Sequence, residues 1–276
     1  MLRILSEMLV YPFLVRALIV GVLISMCAAL LGVSLVLKRY AMIGDGLSHV
    51  GFGAIAVATA LHMAPLELTI PVVIIAAIVL LRLSENSKIK GDTAIAMISS
   101  GSLAIGVMTV SLTTGMNTDV CNYMFGSILS LSTSDALLSI VLAIIVILMF
   151  VLFYHRLFAV TFDENFAAAT GVNTKLYNMI IACLTAVTIV LGMRMMGALL
   201  ISSLTIFPTL SAMRIGKRFR TVIILSVVVS FACFIGGMMF SYEYATPSGA
   251  SVVCMNILLF IIFSMIEVIK KRVNKQ

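Results

Sequence analysis

Two side chains that can hold a metal ion or a proton lie inside an apolar stretch of the chain. Asp45 and His49 are four residues apart. On a helix this spacing places them on one face, so a carboxylate and an imidazole could bind one divalent cation together. Imidazole favours zinc, iron or manganese over calcium or magnesium. The spacing alone also allows an internal hydrogen-bonded pair or a proton relay.

The composition is that of an integral membrane protein. Of 276 residues, 62% are hydrophobic and 11% are charged, and the mean hydropathy is +1.21. A soluble domain carries about 25% charged residues. The apolar runs are about 20 residues long and lack the two-residue alternation of barrel strands. These features predict an all-α, polytopic transmembrane helical bundle that forms one domain over residues 1–276.

Nine apolar runs are candidate membrane spans. The third and the seventh are short, and Pro208 could break the seventh, so about eight or nine spans are expected. The intervening loops are short, and no G-x-x-x-x-G-K-[ST] motif for ATP binding occurs in the sequence. The candidate runs are residues 13–37, 41–62, 66–82, 93–114, 134–154, 176–193, 197–213, 221–240 and 250–268.

Basic residues predict the orientation in the membrane. Most of the 18 basic residues fall on alternate junctions between the runs, which the positive-inside rule assigns to the cytoplasm. The net charge of +7 is therefore a topology signal, and no nucleic-acid partner is expected. The basic residues on these junctions are Lys38, Arg39, Arg82, Lys88, Lys90, Arg156, Lys175, Arg214, Lys217, Arg218, Arg220, Lys270, Lys271, Arg272 and Lys275.

The second run places Asp45 and His49 deep in the membrane. Counted from Arg39 at about 1.5 Å per residue, they lie on the order of 9–15 Å inside. A helical projection predicts a small and polar side and an opposite side of lipid-type residues. The polar side holds Asp45, Ser48, His49, Ala56, Thr59 and Ala60, with Phe52 as an exception, and the other holds Leu47, Val50, Ala54, Val57 and Leu61.

A short cytoplasmic helix is predicted within residues 160–173. Asp163 is a good N-cap, Glu164 suits the first helical turn, and Gly171 is a typical C-terminal stop. About two turns of helix fit between them. From these residues alone, an ordinary connecting helix is an alternative to a functional one.

Six stretches carry a resemblance to a known family. Gly44-Asp-Gly-Leu-Ser-His49 resembles the G-D-x-[LI]-[SA]-H signature of the membrane subunits of zinc/manganese/iron ABC importers. The remaining stretches agree with that family in the same order, and the resemblance covers roughly residues 10–265. They are residues 92–97, 125–129, 161–172, 197–208 and 246–249.

The resemblance implies an ABC importer permease of the bacterial cell (inner/plasma) membrane. It implies a homodimer, ATPase subunits on the cytoplasmic side and an extracytoplasmic metal-binding protein, with membrane lipid around the spans. The permease itself would not be an enzyme and would hold no permanent cofactor, because the divalent metal is its cargo. A proton-coupled secondary cation transporter is the alternative.

The resemblance also implies roles for individual residues. Asp45 and His49 would lie in the metal pathway, and a coupling segment containing Asp163, Glu164, Ala168 and Gly171 would dock onto the ATPase. Asp119 matches one acidic position near the external mouth, although ordinary loop polarity explains it equally well. Asn122 stands where a second carboxylate is expected, which favours zinc over manganese or ferrous iron.

Overall fold

The computed structural model describes residues 7–86, 91–113, 126 and 132–273. The regular elements within these ranges are nine long helices and two short ones. They are α1 (Pro12–Leu37), α2 (Ile43–Ala60), α3 (Pro65–Asn86), α4 (Gly91–Thr113), α5 (Thr133–Leu152), α6 (Tyr154–Phe162), α7 (Glu164–Ala169), α8 (Thr174–Met196), α9 (Ala198–Ile215), α10 (Phe219–Tyr244) and α11 (Ser248–Val273).

Eight helices in the described ranges are long and apolar enough to cross a membrane. The ninth long helix in those ranges is α2, which has 18 residues and carries Asp45 and His49. Its hydropathy is lower because these polar side chains and four glycines interrupt the apolar residues. The all-α, multi-span architecture expected from composition is therefore confirmed, and each candidate run corresponds to one long helix.

The expected break at Pro208 is wrong. Helix α9 runs without interruption through Pro208, and α3 likewise contains Pro71. A proline removes one backbone donor, which a helix tolerates where side chains and neighbouring helices bond the freed groups. Pro208 frees the carbonyl of Leu204, and Pro208 itself is buried among other helices. Packing thus holds the helix together at this position.

Contacts between helix ends agree with the orientation expected from charge. At the basic end, Lys38 pairs with Glu164, and the rings of Phe162 and Phe219 are 6.0 Å apart. At the opposite end, Arg16 donates to the hydroxyl of Thr133. The start of α1 thus lies at the end of the bundle opposite to the basic junctions, which the positive-inside rule predicts to be the outer end.

Helices α1 and α2 lie in the interior of the bundle. Helix α1 contacts α5, α8, α9 and α10, and α2 contacts α3, α4, α8 and α9. Glycines allow the closest approaches: a Cβ at Gly32 would lie 2.1 Å from the Thr205 carbonyl oxygen, and one at Gly53 would lie 2.6 Å from that of Ser102. Helix α11 is mostly exposed and apolar, as expected of a helix that faces lipid.

Candidate metal site and coupling segment

Helix α2 brings Asp45 and His49 together. The helix begins at Ile43, so Asp45 lies in its first turn and His49 one turn later. Nε2 of His49 is 3.7 Å from Oδ2 of Asp45, which is too long for a good hydrogen bond. Two ligand atoms that share a tetrahedral ion, each at about 2.0–2.2 Å, are themselves separated by about 3.3–3.5 Å. The two atoms thus have nearly the separation that a shared ion requires.

Both side chains remain accessible although the helix around them is buried. The exposed fraction is 44% for the Asp45 side chain and 23% for that of His49. The neighbouring residues Gly44, Gly46 and Leu47 are all buried. The carboxylate and the imidazole therefore face open space rather than the packed core.

A third polar group, from α9, reaches this carboxylate. The hydroxyl of Ser202 lies 3.4 Å from Oδ1 of Asp45 and 3.1 Å from the carbonyl of Ala198, and it can donate to one of them at a time. Sequence reasoning assigned Ser202 no role. The residue belongs to the 197–208 stretch that carries the resemblance, but no spacing connects it to a position 157 residues earlier.

The helical projection is only partly correct. Ser48 is fully buried and donates to the carbonyl of Asp45 at 2.7 Å, so its hydroxyl does not point to the open side. Leu47, Val50 and Ala54 are buried against neighbouring helices and do not face lipid. The projection missed this because α2 is surrounded by other helices, so apolar residues on either side can be buried.

Neighbouring helices bracket the depth of the pair. Gly46 packs against Ile95, and Ile95 lies about 6 Å along the helix axis from the start of α4, at the basic end of the bundle. Ser202 lies about 20 Å along the axis of α9 from the end of α9 on the same side. The 9–15 Å estimated from sequence falls within this range. That estimate assumed helix from Arg39 onward, whereas residues 38–42 form turns and Arg39 has φ +63°.

A sharp turn positions Ser202. Gly197 joins α8 to α9 with φ +83° and ψ +159°, a conformation essentially restricted to glycine. Gly126 packs directly on this turn, because a Cβ there would lie 2.3 Å from the carbonyl carbon of Met196.

Asp119 and Asn122, the expected residues of an external gate, lie outside the described residues, so those assignments remain predictions.

An ion pair ties the outer ends of α8 and α5 together. Arg194 Nη2 is 3.0 Å from Oδ2 of Asp135, and the exposed fractions of the side chains are 24% and 17%. Partial burial increases the attraction between the two charges and also costs desolvation, so removing one partner would leave the other poorly solvated. Arg194 is not among the basic residues on the alternate junctions, and its ion pair with Asp135 accounts for a positive charge at this end of the bundle.

The short helix predicted within residues 160–173 is confirmed, and its cytoplasmic side stays a prediction. Helix α7 has six residues, and Oδ1 of Asp163 accepts a hydrogen bond of 2.9 Å from the backbone N–H of Phe166. Gly171 has φ +85°, as expected after a helix end. Ala167 is buried, whereas Ala168 is exposed and available to another protein.

The pair alone does not complete a metal site. Among the residues that the structure describes, no group of three or more His, Cys, Asp or Glu side chains could hold an ion. Zinc usually takes four ligands, so Asp45 and His49 leave about two positions to other groups. Water, substrate-delivering partners or a second copy of this chain would have to supply them.

Comparisons with known proteins agree with these features. The model of the ABC 3 transport family matches residues 10–267. The chain is 32% identical over 252 residues to the high-affinity zinc uptake system membrane protein ZnuB of Haemophilus influenzae, covering 91% of this chain and 97% of ZnuB. It is 29% identical over 252 residues to the manganese import system permease protein ScaB of Streptococcus gordonii, covering 91% and 90%.

A solved structure has the same fold. A chain of PsaBC from Streptococcus pneumoniae, determined in complex with Fab, superposes with a TM-score of 0.85 at 26% identity. The match covers 95% of this chain and 94% of that one. The helical architecture is therefore shared over almost the whole length of both chains.

Proposed function

Since the chain belongs to the ABC 3 transport family, we propose that it is the membrane-spanning permease subunit of an ATP-driven zinc importer. It is a multi-pass protein of the bacterial inner membrane and acts as one permease domain over residues 1–276. Manganese or ferrous iron carried by the same type of importer is the alternative cargo. The metal is the transported substrate, so no permanently bound cofactor is required.

The separation of Asp45 and His49 is the observation that carries this proposal. A hydrogen-bonded packing pair would close to about 2.7–3.2 Å, whereas the observed 3.7 Å leaves room for an ion between the two atoms. Both groups are accessible and lie inside the membrane-spanning bundle, where ionisable residues usually mark an ion pathway. Each copy of the chain supplies two of the roughly four ligands that zinc takes.

A homodimer would complete this site. A symmetry axis near the open side of α2 would add a second Asp45 and a second His49, which gives four ligands of a type that zinc accepts. The exposure of both side chains supports this arrangement, because their own subunit does not cover them completely.

Partner proteins supply energy and substrate in this proposal. The sequence has no ATP-binding motif, so hydrolysis belongs to separate ATP-binding cassette subunits that dock on α7 from the cytoplasm. Asp163, Glu164 and Gly171 shape this helix, and the exposed Ala168 lies on it. An extracytoplasmic metal-binding protein would deliver the ion to the outer mouth, where Asp119 is expected.

Two observations favour zinc modestly. Imidazole with carboxylate suits zinc, manganese and ferrous iron alike, so the pair does not choose among them. The sequence has Asn122 where a second external carboxylate is expected, which weakens an oxygen-rich gate suited to manganese. The resemblance to a zinc uptake protein at 32% identity, against 29% for a manganese permease, points the same way.

Reconstitution distinguishes an ATP-driven importer from a proton-coupled one. Proteoliposomes containing the permease, its ATPase subunits and the delivery protein should accumulate zinc only with ATP, and an imposed proton gradient should not replace ATP. Omission of the ATPase subunits is the matched control and should abolish uptake. Uptake driven by a proton gradient through the permease alone would refute the proposal.

A further inference from the structure

A nearly buried lysine lies between the cytoplasmic helix and the metal helix. Lys38 caps the C-terminus of α1, and only 8% of its side chain is exposed. Its Nζ donates to Oδ1 of Asn178 at 2.6 Å and lies 3.3 Å from Oε2 of Glu164. Nδ2 of Asn178 donates to Oε1 of Glu164 at 2.8 Å. These three side chains form a closed polar triangle that joins α1, α7 and α8.

The triangle is close to the beginning of α2. Lys38 precedes Ile43, the first residue of α2, by five positions. The connecting segment is held by backbone hydrogen bonds from Tyr40 to Leu35 at 2.8 Å and from Ile43 to Tyr40 at 3.0 Å. A displacement of Lys38 is therefore passed along a short and well-bonded segment to the turn that contains Asp45.

The triangle and α2 also border one small cavity. Lys38 and Asn178 line it on one side, and Ile43 and Leu47 of α2 line it on the other. Its volume is about 20 Å³, which is enough for roughly one water molecule. The first turns of α2 therefore have space beside them in which side chains can shift without overlapping their neighbours.

We propose that the Lys38–Glu164–Asn178 triangle transmits movement of α7 to the start of α2, and so couples the ATPase to the metal pair. This inference rests on the proposed function. A buried ammonium that loses its carboxylate is strongly destabilised, so moving α7 away from the bundle favours a new position for Lys38. The positions of α7 and α2 are then linked, which is what coupling between two sites requires. Lys38 and Asn178 are positioning residues and do not contact the metal.

A purely structural role predicts a different result. If the triangle only anchored α7, its removal would lower assembly with the ATPase, and transport and ATP hydrolysis would fall together. If it transmits movement, the amount of metal imported per ATP hydrolysed would fall. The ratio of the two rates therefore separates the two roles.

The test uses Lys38→Met and Glu164→Gln in the complete transporter, reconstituted in proteoliposomes with ATPase subunits and delivery protein. Zinc uptake and ATP hydrolysis are measured in the same vesicles. Removing either charge should lower zinc imported per ATP about fivefold or more. Lys175→Met is the control, because Lys175 is an exposed lysine at the same end of α8. The zinc imported per ATP hydrolysed by this variant should stay within about twofold of the wild-type value.

A charge exchange tests the pair itself. Lys38→Glu combined with Glu164→Lys should recover more than half of the decrease in zinc imported per ATP hydrolysed. The reason is that the Asn178 amide can both donate and accept hydrogen bonds, so it can bond either arrangement of the charges. A wild-type ratio in both single variants would overturn the inference while leaving metal transport by the wild type intact. Loss of copurifying ATPase with an unchanged ratio of zinc imported to ATP hydrolysed would also overturn it, since that is the result for an anchor. Failure of the wild type to import metal would instead refute the proposed function.

Discussion

The backbones of α2 and α4 approach each other closely at Gly53. A Cβ added there would lie 2.6 Å from the carbonyl oxygen of Ser102 and 3.3 Å from its carbonyl carbon. The obstacle is backbone, which cannot turn aside as a flexible side chain can. We therefore expect Gly53→Ala to push α4 away from α2, the helix that carries Asp45 and His49.

The size of the effect follows from this distance. Carbon–oxygen contacts between helices are normally about 3.3–3.6 Å, so the helices would have to separate by on the order of 1 Å. Overpacking of this kind costs about 1–3 kcal/mol. Alanine also gains about 1 kcal/mol over glycine in helix propensity, which hides part of the cost.

Gly101 offers a matched control for the propensity term. It lies in α4, and an added Cβ there meets nothing within 4 Å. Gly101→Ala should therefore gain the propensity without the clash, and the difference between the two variants isolates the overpacking of about 1–3 kcal/mol. At about 2–4 °C per kcal/mol, Gly53→Ala should melt about 2–12 °C below Gly101→Ala.

Thermal unfolding of both purified variants in one detergent measures this difference. Zinc uptake should also fall in Gly53→Ala, because the same displacement alters the position of α2. A melting temperature for Gly53→Ala equal to or above that of Gly101→Ala would show that α2 and α4 do not pack as described.

Three further predictions concern the coupling helix, the turn before α9 and the outer ion pair. Ala168→Arg, at an exposed position of α7, should leave the protein folded but uncouple ATP hydrolysis from uptake, and normal uptake would count against docking there. Gly197→Ala should lose about 1–3 kcal/mol at φ +83°, seen as a lower melting temperature; an unchanged one would contradict the strain. Arg194→Ala should destabilise the protein more than the double variant Arg194→Ala/Asp135→Ala does. A double-mutant cycle should give a coupling energy of about 1 kcal/mol or more between the two side chains, and a coupling energy of zero would mean that the ion pair is not formed.

Local sequence signals predicted the helices well. Runs of apolar residues gave every long helix to within a few residues, because the length of an apolar run depends on the local segment and the bilayer; the sides assigned from the basic junctions stay a prediction. The cap of α7 was predictable for the same reason, since Asp163 bonds a backbone group three residues away. The effect of Pro208 was predicted wrongly, because a helix tolerates an internal proline through contacts with neighbouring helices, and the local sequence carries no information on those contacts.

Contacts between distant segments were not predictable. Asp45 and His49 lie on one helix, so their spacing gave their proximity, but Ser202 joins them through a fold that brings α9 against α2. Lys38 was explained from sequence as a topology signal, whereas in the structure it is nearly buried and bonded to Asn178, 140 residues away. Such partners are selected by tertiary packing, and a single sequence gives no signal for them.

The most direct test of the metal pathway is elemental analysis of chelator-starved cells that express the complete transporter. Wild type is compared with Asp45→Asn/His49→Ala across zinc, manganese and iron, and His62→Gln, an exposed histidine in the turn after α2, is the control. We expect one metal, zinc, to accumulate in wild type and in the control and to fall to background in the equally expressed double variant. Accumulation in the double variant equal to wild type would contradict it, because Asp45 and His49 would then be a packing feature.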